Sequence, residues 1–140
     1  MHSREIASYG GVINTMPKFA VFALLFAMAN CGLPGTAGFV GEWMVILAAV
    51  KVNFWVGMAA ASALIFGAAY TLWMVKRVYL GPVTNDHVKK LKDINAREFF
   101  FLTLLAVAVL YFGLYPKPLT DVMDVSVAEL LKHVAMSKLN

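Results

Sequence analysis

The chain has 140 residues, of which 61% are hydrophobic and only 14% charged, and its mean hydropathy is +0.73. A soluble domain of this size cannot bury that much apolar surface, and intrinsic disorder requires the opposite composition. Cys31 is the single cysteine, which excludes a disulfide scaffold. The net charge of +4 fits a membrane protein, whose cytoplasmic loops collect lysine and arginine, so we expect no nucleic-acid partner.

The polar residues 1–18 are predicted to form a cytoplasmic segment, and an apolar block follows over residues 19–50. At about 1.5 Å per residue this block exceeds the hydrocarbon core of a bilayer, which is about 30 Å thick. We therefore expect one transmembrane helix that is interrupted rather than a single straight span.

The run from Asn30 to Gly38 contains three glycines and one proline. Because these residues disfavour continuous helix, the sequence predicts a break at Pro34, Gly35 and Gly38, between half-helices at about 19–29 and 39–50. Unwound backbone inside a membrane must be shielded by protein or internal water. The alternatives are a proline kink in a tilted helix and a short re-entrant hairpin.

Residues 54–80 contain no charge before Lys76 and many small side chains, which predicts a second transmembrane helix packed inside a bundle. A polar cytoplasmic loop is expected at 81–96. Asn95 and Glu98 have the spacing of a capping box and open a third predicted transmembrane helix at 97–115.

Residues 119–138 alternate apolar and polar positions with helical spacing, which predicts an external amphipathic helix. The fold class is therefore all-α integral membrane, with three transmembrane helices, the first discontinuous, and a C-terminal amphipathic helix. Basic residues set the orientation: eight lie on the side of the 81–96 loop and four on the other, so the loop side is predicted to be cytoplasmic.

Glu42 is the only ionisable residue within the first apolar block before its end at Lys51, and it follows the break directly. Such residues are costly in a bilayer, face a bundle interior or a wet cavity, and often lie on ion paths. Glu42 is therefore a candidate proton relay. The alternative is a structural carboxyl paired with a cation on a neighbouring helix. No residue is predicted to be catalytic, to bind a cofactor or to bind a metal.

The run from Gly32 to Glu42 resembles the antiporter-like subunit M of bacterial proton-pumping NADH:quinone oxidoreductase, respiratory complex I, which is akin to mitochondrial subunit 4. The resemblance extends in chain order over further segments, which are residues 2–6, 9–11, 16–17, 76–81, 97–98 and 113–116.

This resemblance implies that the chain is a C-terminal fragment of a multi-pass protein of the bacterial inner membrane. It implies that Glu42 is the ionisable residue nearest the proton exit, where sister subunits carry lysine. The expected partners are the eleven preceding helices of the same subunit, other membrane subunits of complex I, and lipid. NADH, FMN, iron–sulfur clusters and quinone would be bound elsewhere in the complex, so the chain would be a translocase subunit without a redox site.

Two other functions are compatible with the residues alone. One is a small self-contained transporter that couples protons to a substrate through one intramembrane glutamate. The other is a non-catalytic membrane assembly protein.

Overall fold

The computed structural model describes residues 5–83 and 85–137. Within these ranges all regular structure is helical, which confirms the predicted all-α class. A short 3-10 turn at Ile6–Ser8 precedes seven helices, which are α1 (Val12–Thr15), α2 (Pro17–Asn30), α3 (Ala37–Val52), α4 (Phe54–Val78), α5 (Asp86–Lys89), α6 (Ala96–Leu114) and α7 (Lys117–Ser137).

Two of these helices, α4 and α6, are long and apolar enough to cross a membrane. Only 11% of the apolar window of α4 and 6% of that of α6 are buried within the chain. The core helix of a soluble protein would be mostly buried, so these surfaces are available to lipid or to further helices. The count of three transmembrane helices stays a prediction, since α2 is a shorter apolar helix.

The helices α2 and α3 lie one after the other along α4 and run antiparallel to it. Near the start of α2 the rings of Phe19 and Tyr79 are 6.2 Å apart. Gly57, near the start of α4, packs directly against Val50 in the last turn and a half of α3. A re-entrant hairpin would instead place α3 back against α2.

Helix α6 runs parallel to α2 on another side. The rings of Phe22 and Phe99 are 5.3 Å apart near the start of both helices, and Gly113 reaches the connection between α2 and α3. The capping box predicted for α6 is confirmed, since the backbone N–H of Asn95 donates to Glu98 Oε2 over 2.8 Å. Helices α4 and α6 thus flank the segment between α2 and α3.

Several helix boundaries differ from the predicted ones. Helix α2 begins at Pro17 rather than at 19, and α7 at Lys117 rather than at 119. In both helices a proline lies in the first turn. Backbone N–H groups in the first turn have no acceptor within the helix, so proline, which lacks the N–H, breaks no hydrogen bond there. Helix α4 ends at Val78 rather than at 80. The amphipathic character of α7 stays a prediction, since its side chains are exposed from Asp121 to Met136.

The N-terminal segment and the 81–96 loop pack together at one end of the bundle. The side-chain amide of Asn14 donates to Gly81 O over 3.0 Å, and that of Asn85 donates to Ser8 O over 3.1 Å. The loop contains α5, whose Val88 is fully buried. These two polar stretches therefore form a folded cap rather than loose connections.

Candidate functional site

Helix α2 ends in a glycine-based C-terminal motif. The N–H of Gly32 donates to Ala29 O over 3.2 Å and that of Leu33 to Met28 O over 3.1 Å. This pair of bonds is the Schellman pattern, which places a left-handed residue directly after the helix. Gly32 has φ +73°, which only glycine adopts without strain. The end of α2 is thus encoded at Gly32, before the proline.

A tight turn follows and completes the break. The N–H and the hydroxyl of Thr36 both donate to Leu33 O, over 3.1 and 2.7 Å. Pro34 and Gly35 occupy the two central positions, and Gly35 has φ +92°. Proline followed by a positive-φ glycine is the signature of a type II turn. The turn and the Schellman motif satisfy much of the unwound backbone locally, as a membrane interior requires.

Gly38 lies in α3 and not in the break, contrary to the sequence prediction. A Cβ atom at this position would lie 2.6 Å from Ala29 O. Gly38 therefore serves close packing: without a side chain, the first turn of α3 can approach the last turn of α2. A glycine in a break motif can have this packing role while remaining helical.

Helix α6 covers the break from the side. A Cβ atom at Gly113 would collide with the carbonyl oxygen of Gly35 and with backbone atoms of Thr36. Thr36 is only 1% exposed as a result. The approach of two backbones provides the protein shielding that unwound backbone needs in a membrane.

The Glu42 carboxyl lies directly beside the break. Its Oε2 atom is buried and has no hydrogen-bond partner among the described residues. A Cβ atom at Gly32 would lie 2.5 Å from this oxygen, so the glycine leaves the space that the carboxyl occupies. Buried polar groups are nearly always paired, and the exceptions are often functional.

Glu42 also faces a cavity of about 570 Å³ between the end of α2, α3 and α4. Asn30 and Tyr70 add polar groups to its wall, and Asn30 Nδ2 donates to Thr71 Oγ1 over 3.4 Å. A space of this size has room for water, and these polar groups and the Glu42 carboxyl could hydrogen-bond it. The wall on α4 is made of small and apolar residues at helical spacing, which are Ala60, Ala63, Leu64 and Gly67.

No cation within the described ranges pairs with Glu42. The ion pairs found there are Lys89–Asp86 and His133–Glu129, both on exposed surfaces. Lys51 belongs to the same helix and is exposed. The structural-carboxyl alternative therefore requires a cation from outside the described residues.

Asp93, which sequence reasoning missed, fixes the other end of α2. Its carboxylate accepts the N–H groups of Lys18 over 3.0 Å and of Phe19 over 3.1 Å, so it caps the helix from the loop. Partial desolvation opposes the effect, but the N–H groups of Ile94, Lys18 and Phe19 and the charge of Lys18 lower the pKa of Asp93 below its ordinary 3.8. No local pattern could reveal this cap, because its partners lie some 75 residues away.

At the same end of the bundle, burial raises the pKa of the Tyr79 hydroxyl. Its ring packs near Phe19. The described residues contain no group of three or more histidine, cysteine or acidic side chains placed to hold a metal.

Together these features define an α-helical membrane protein with a half-buried glutamate beside a shielded helix break, and one carboxyl oxygen of this glutamate is buried without a hydrogen-bond partner among the described residues. The family model described as "NADH:quinone oxidoreductase/Mrp antiporter, TM" matches residues 1–67. Subunit M of the NADH-quinone oxidoreductase of Rhodobacter capsulatus is 44% identical over 133 residues. The NADH-ubiquinone oxidoreductase chain 4 of Arabidopsis thaliana is 40% identical over 131 residues. These alignments include 95% and 94% of this chain and 26% of each relative.

The fold agrees with a chain of the solved respiratory complex I from Thermus thermophilus with bound NADH, at a TM-score of 0.73 and 32% identity. That match covers 80% of this chain and 23% of the other. The chain belongs to the antiporter-like subunits of the subunit M type, as the resemblance indicated, and corresponds to their C-terminal part. It spans about a quarter of the length of these relatives. The self-contained transporter and the assembly protein are not favoured.

Proposed function

We propose that this chain forms the exit part of a proton path in the membrane arm of a proton-pumping NADH:quinone oxidoreductase. Glu42 is the relay residue that receives a proton and passes it outward. The single observation that supports this role most strongly is the buried Oε2 atom without a hydrogen-bond partner, placed against the helix break.

The surroundings of Glu42 suit a carboxyl that changes its protonation state. The adjacent cavity has room for water, and proton transfer needs a donor or acceptor within hydrogen-bond reach or one water away. The unwound segment places a tight turn beside the carboxyl in place of continuous helix. Gly32 has no side chain to fill the space that the carboxyl occupies.

The setting of this function is also part of the proposal. The chain works in the bacterial inner membrane as a multi-pass protein, with lipid, the preceding helices of the same subunit and other subunits of complex I as partners. Electron transfer through NADH, FMN, iron–sulfur clusters and quinone takes place in those other subunits. This chain thus contributes translocation and no redox step.

Glu42→Gln in the full-length subunit tests the proposal. Glutamine keeps the shape of the side chain but cannot exchange a proton, so we expect strongly reduced proton uptake in assembled complex. Glu42→Asp retains part of the activity, limited by its reach. Glu129→Gln is the matched control, because Glu129 is exposed on α7 and does not line the cavity.

Glu42→Lys distinguishes relay from structural pairing. An ionisable lysine preserves some transport if the position relays protons. If Glu42 instead pairs with an external cation, lysine places two cations together and disrupts assembly, whereas glutamine is mild. Full pumping by the assembled Glu42→Gln complex would end the relay proposal.

The orientation is tested separately by cysteine labelling in a Cys31→Ala background. His87 in the loop and Val125 on α7 are both exposed. We expect a cysteine at position 87 to react only with a reagent on the cytoplasmic side, and one at 125 only from outside. The reverse pattern contradicts the proposed direction of the path.

A further inference from the structure

The cavity beside Glu42 extends toward the C-terminal end of α4. Its lining comes from three helices, α2, α3 and α4, with the residue that follows α2, and most of it is apolar. Besides Glu42 and the Cys31 thiol, its polar groups are the Asn30 amide and the Tyr70 hydroxyl. Asn30 and Tyr70 belong to the same end of the cavity, because Asn30 hydrogen-bonds Thr71, the residue after Tyr70.

The Tyr70 ring leans over Gly67, toward the level of Glu42. A Cβ atom at Gly67 would lie 4.0 Å from Tyr70 Cε1. Glu42 Oε2 is near Leu64, since a Cβ atom at Gly32 would lie 2.5 Å from that oxygen and 3.4 Å from Leu64 Cδ2. The step from Leu64 to Tyr70 advances about 9 Å along α4, and the lean of the ring shortens it. A chain of about two waters bridges such a gap, because hydrogen-bonded oxygens lie about 2.8 Å apart.

A hydrogen bond fixes Asn30 at this end of the cavity. Asn30 Nδ2 donates to Thr71 Oγ1 over 3.4 Å, and Thr71 is only 3% exposed. The bond uses an N–H group of the amide, so the carbonyl oxygen of Asn30 is left as an acceptor. The neighbouring Tyr70 hydroxyl can both donate and accept. Two such groups suit water, which needs several polar partners to be held in place.

We propose that the Tyr70 hydroxyl and the Asn30 amide hold the water chain through which protons reach Glu42. Both are positioning residues, since they order the water rather than take up the transported proton. The chain begins toward the end of α4 that leads into the 81–96 loop, and it ends at Glu42 Oε2, which has no hydrogen-bond partner among the described residues. This proposal rests on the relay role of Glu42 and adds the side from which the proton arrives.

Tyr70→Phe in the full-length subunit tests the proposal, because it removes the hydroxyl and keeps the ring. In assembled complex we expect proton uptake to fall about ten-fold, the factor that corresponds to one lost hydrogen bond. Proton delivery to Glu42 then limits the rate, so the ratio of uptake rates in water and in heavy water should rise. The matched control is Tyr111→Phe, since Tyr111 is exposed on α6 and does not line the cavity.

Thr71→Val tests the part of Asn30 separately. Valine keeps the shape of threonine but removes the oxygen that accepts the Asn30 amide. We expect a smaller loss of uptake than in Tyr70→Phe and the same direction of change in the isotope ratio. Thr103→Val is the control, because the Thr103 hydroxyl donates to Phe99 O within α6. No effect of Thr71→Val would contradict the role of Asn30.

Glu42→Gln, measured in parallel, separates this proposal from the relay role. If Glu42→Gln loses proton uptake while Tyr70→Phe keeps it, the water chain is wrong and the relay stands. If both variants keep full uptake, both proposals fail. Equal losses in Tyr70→Phe and Tyr111→Phe, or a loss in Tyr70→Phe with an unchanged isotope ratio, would also overturn the assignment, because a purely structural tyrosine explains them.

Discussion

The pair α2–α3 and the helix α4 run side by side, yet one is broken and the other continuous. Both contain glycines. In α4, Gly57 and Gly67 keep ordinary helical dihedrals, whereas Gly32 and Gly35 between α2 and α3 have positive φ. The presence of glycine in an apolar helix therefore does not predict a break.

The surroundings of each glycine account for the difference. Gly57 allows α4 to approach the backbone of Val50, so its missing side chain serves packing. Gly32 closes a Schellman motif, and Gly35 follows Pro34 in a tight turn. Proline prevents the helix from re-forming through this segment, because it lacks the N–H that a helix interior needs.

The two regions also differ in how their helices begin. Asn53 caps α4 locally, since its side chain accepts the N–H groups of Trp55 and Val56. Helix α2 has no such local cap and depends on Asp93 in a distant loop. The start of α4 is thus determined by a neighbouring residue, and the start of α2 by a contact across the bundle.

We expect the largest loss of stability around the break from Gly113→Ala. The new Cβ atom meets backbone of the break, which no side-chain rotation can relieve. Overpacking of this kind costs about 1–3 kcal/mol, and we expect that loss in the unfolding free energy measured in mixed micelles. Gly41→Ala is the control, because nothing lies within 4 Å of its added Cβ atom. An equal effect of both substitutions would refute the role of α6 as a shield.

A somewhat smaller effect is expected from Gly32→Ala. A left-handed conformation costs a residue with a Cβ atom roughly 1–2 kcal/mol, and the added atom displaces the Glu42 carboxyl. We expect lower stability and lower proton transport in the full-length subunit. Gly67→Ala in α4 is the matched control. Its added Cβ atom would lie 4.0 Å from the Tyr70 ring, so we expect the unfolding free energy to stay unchanged or to rise. If proton transport is unchanged in Gly32→Ala, the function of Glu42 does not depend on Gly32.

The smallest effect concerns the cap of α2 and its dependence on pH. The folded state lowers the pKa of Asp93, so its contribution is present above the ordinary value and is lost as pH falls through the folded value. We expect the amides of Lys18 and Phe19 to keep their protection from hydrogen exchange at neutral pH and to lose it as pH falls below 3.8, the ordinary pKa of Asp93. The amides of Trp55 and Val56, capped by a neutral side chain, provide the reference.

Asp93→Asn should lower the protection of the first turn of α2 at neutral pH, because a neutral acceptor binds N–H groups more weakly than a carboxylate. It should also remove the dependence of this protection on pH. Asp86→Asn should leave this dependence unchanged, since Asp86 pairs with Lys89 in the loop. Persistence of the pH dependence in Asp93→Asn would assign it to another group.

Much of the protein followed from the sequence by itself. Composition determined the membrane class, and apolar block lengths placed α4 and α6 within two residues of their observed bounds. The capping box at Asn95 was readable because its two partners are three residues apart. Pro34 and Gly35 were assigned to the break for the same reason, since turn chemistry acts between near neighbours. Glu42 was identifiable by its charge alone.

Other features were decided only by the tertiary structure. Gly38 belongs to α3 because its missing side chain admits Ala29 O, and Gly113 covers the break from a distant helix. Asp93 caps α2 across some 75 residues of chain. Neither the contact between Gly32 and Glu42 Oε2 nor the absence of a hydrogen-bond partner for that oxygen can be read from spacing. The physical reason is common to all: each depends on which backbones meet in space, and local pattern carries no information about that.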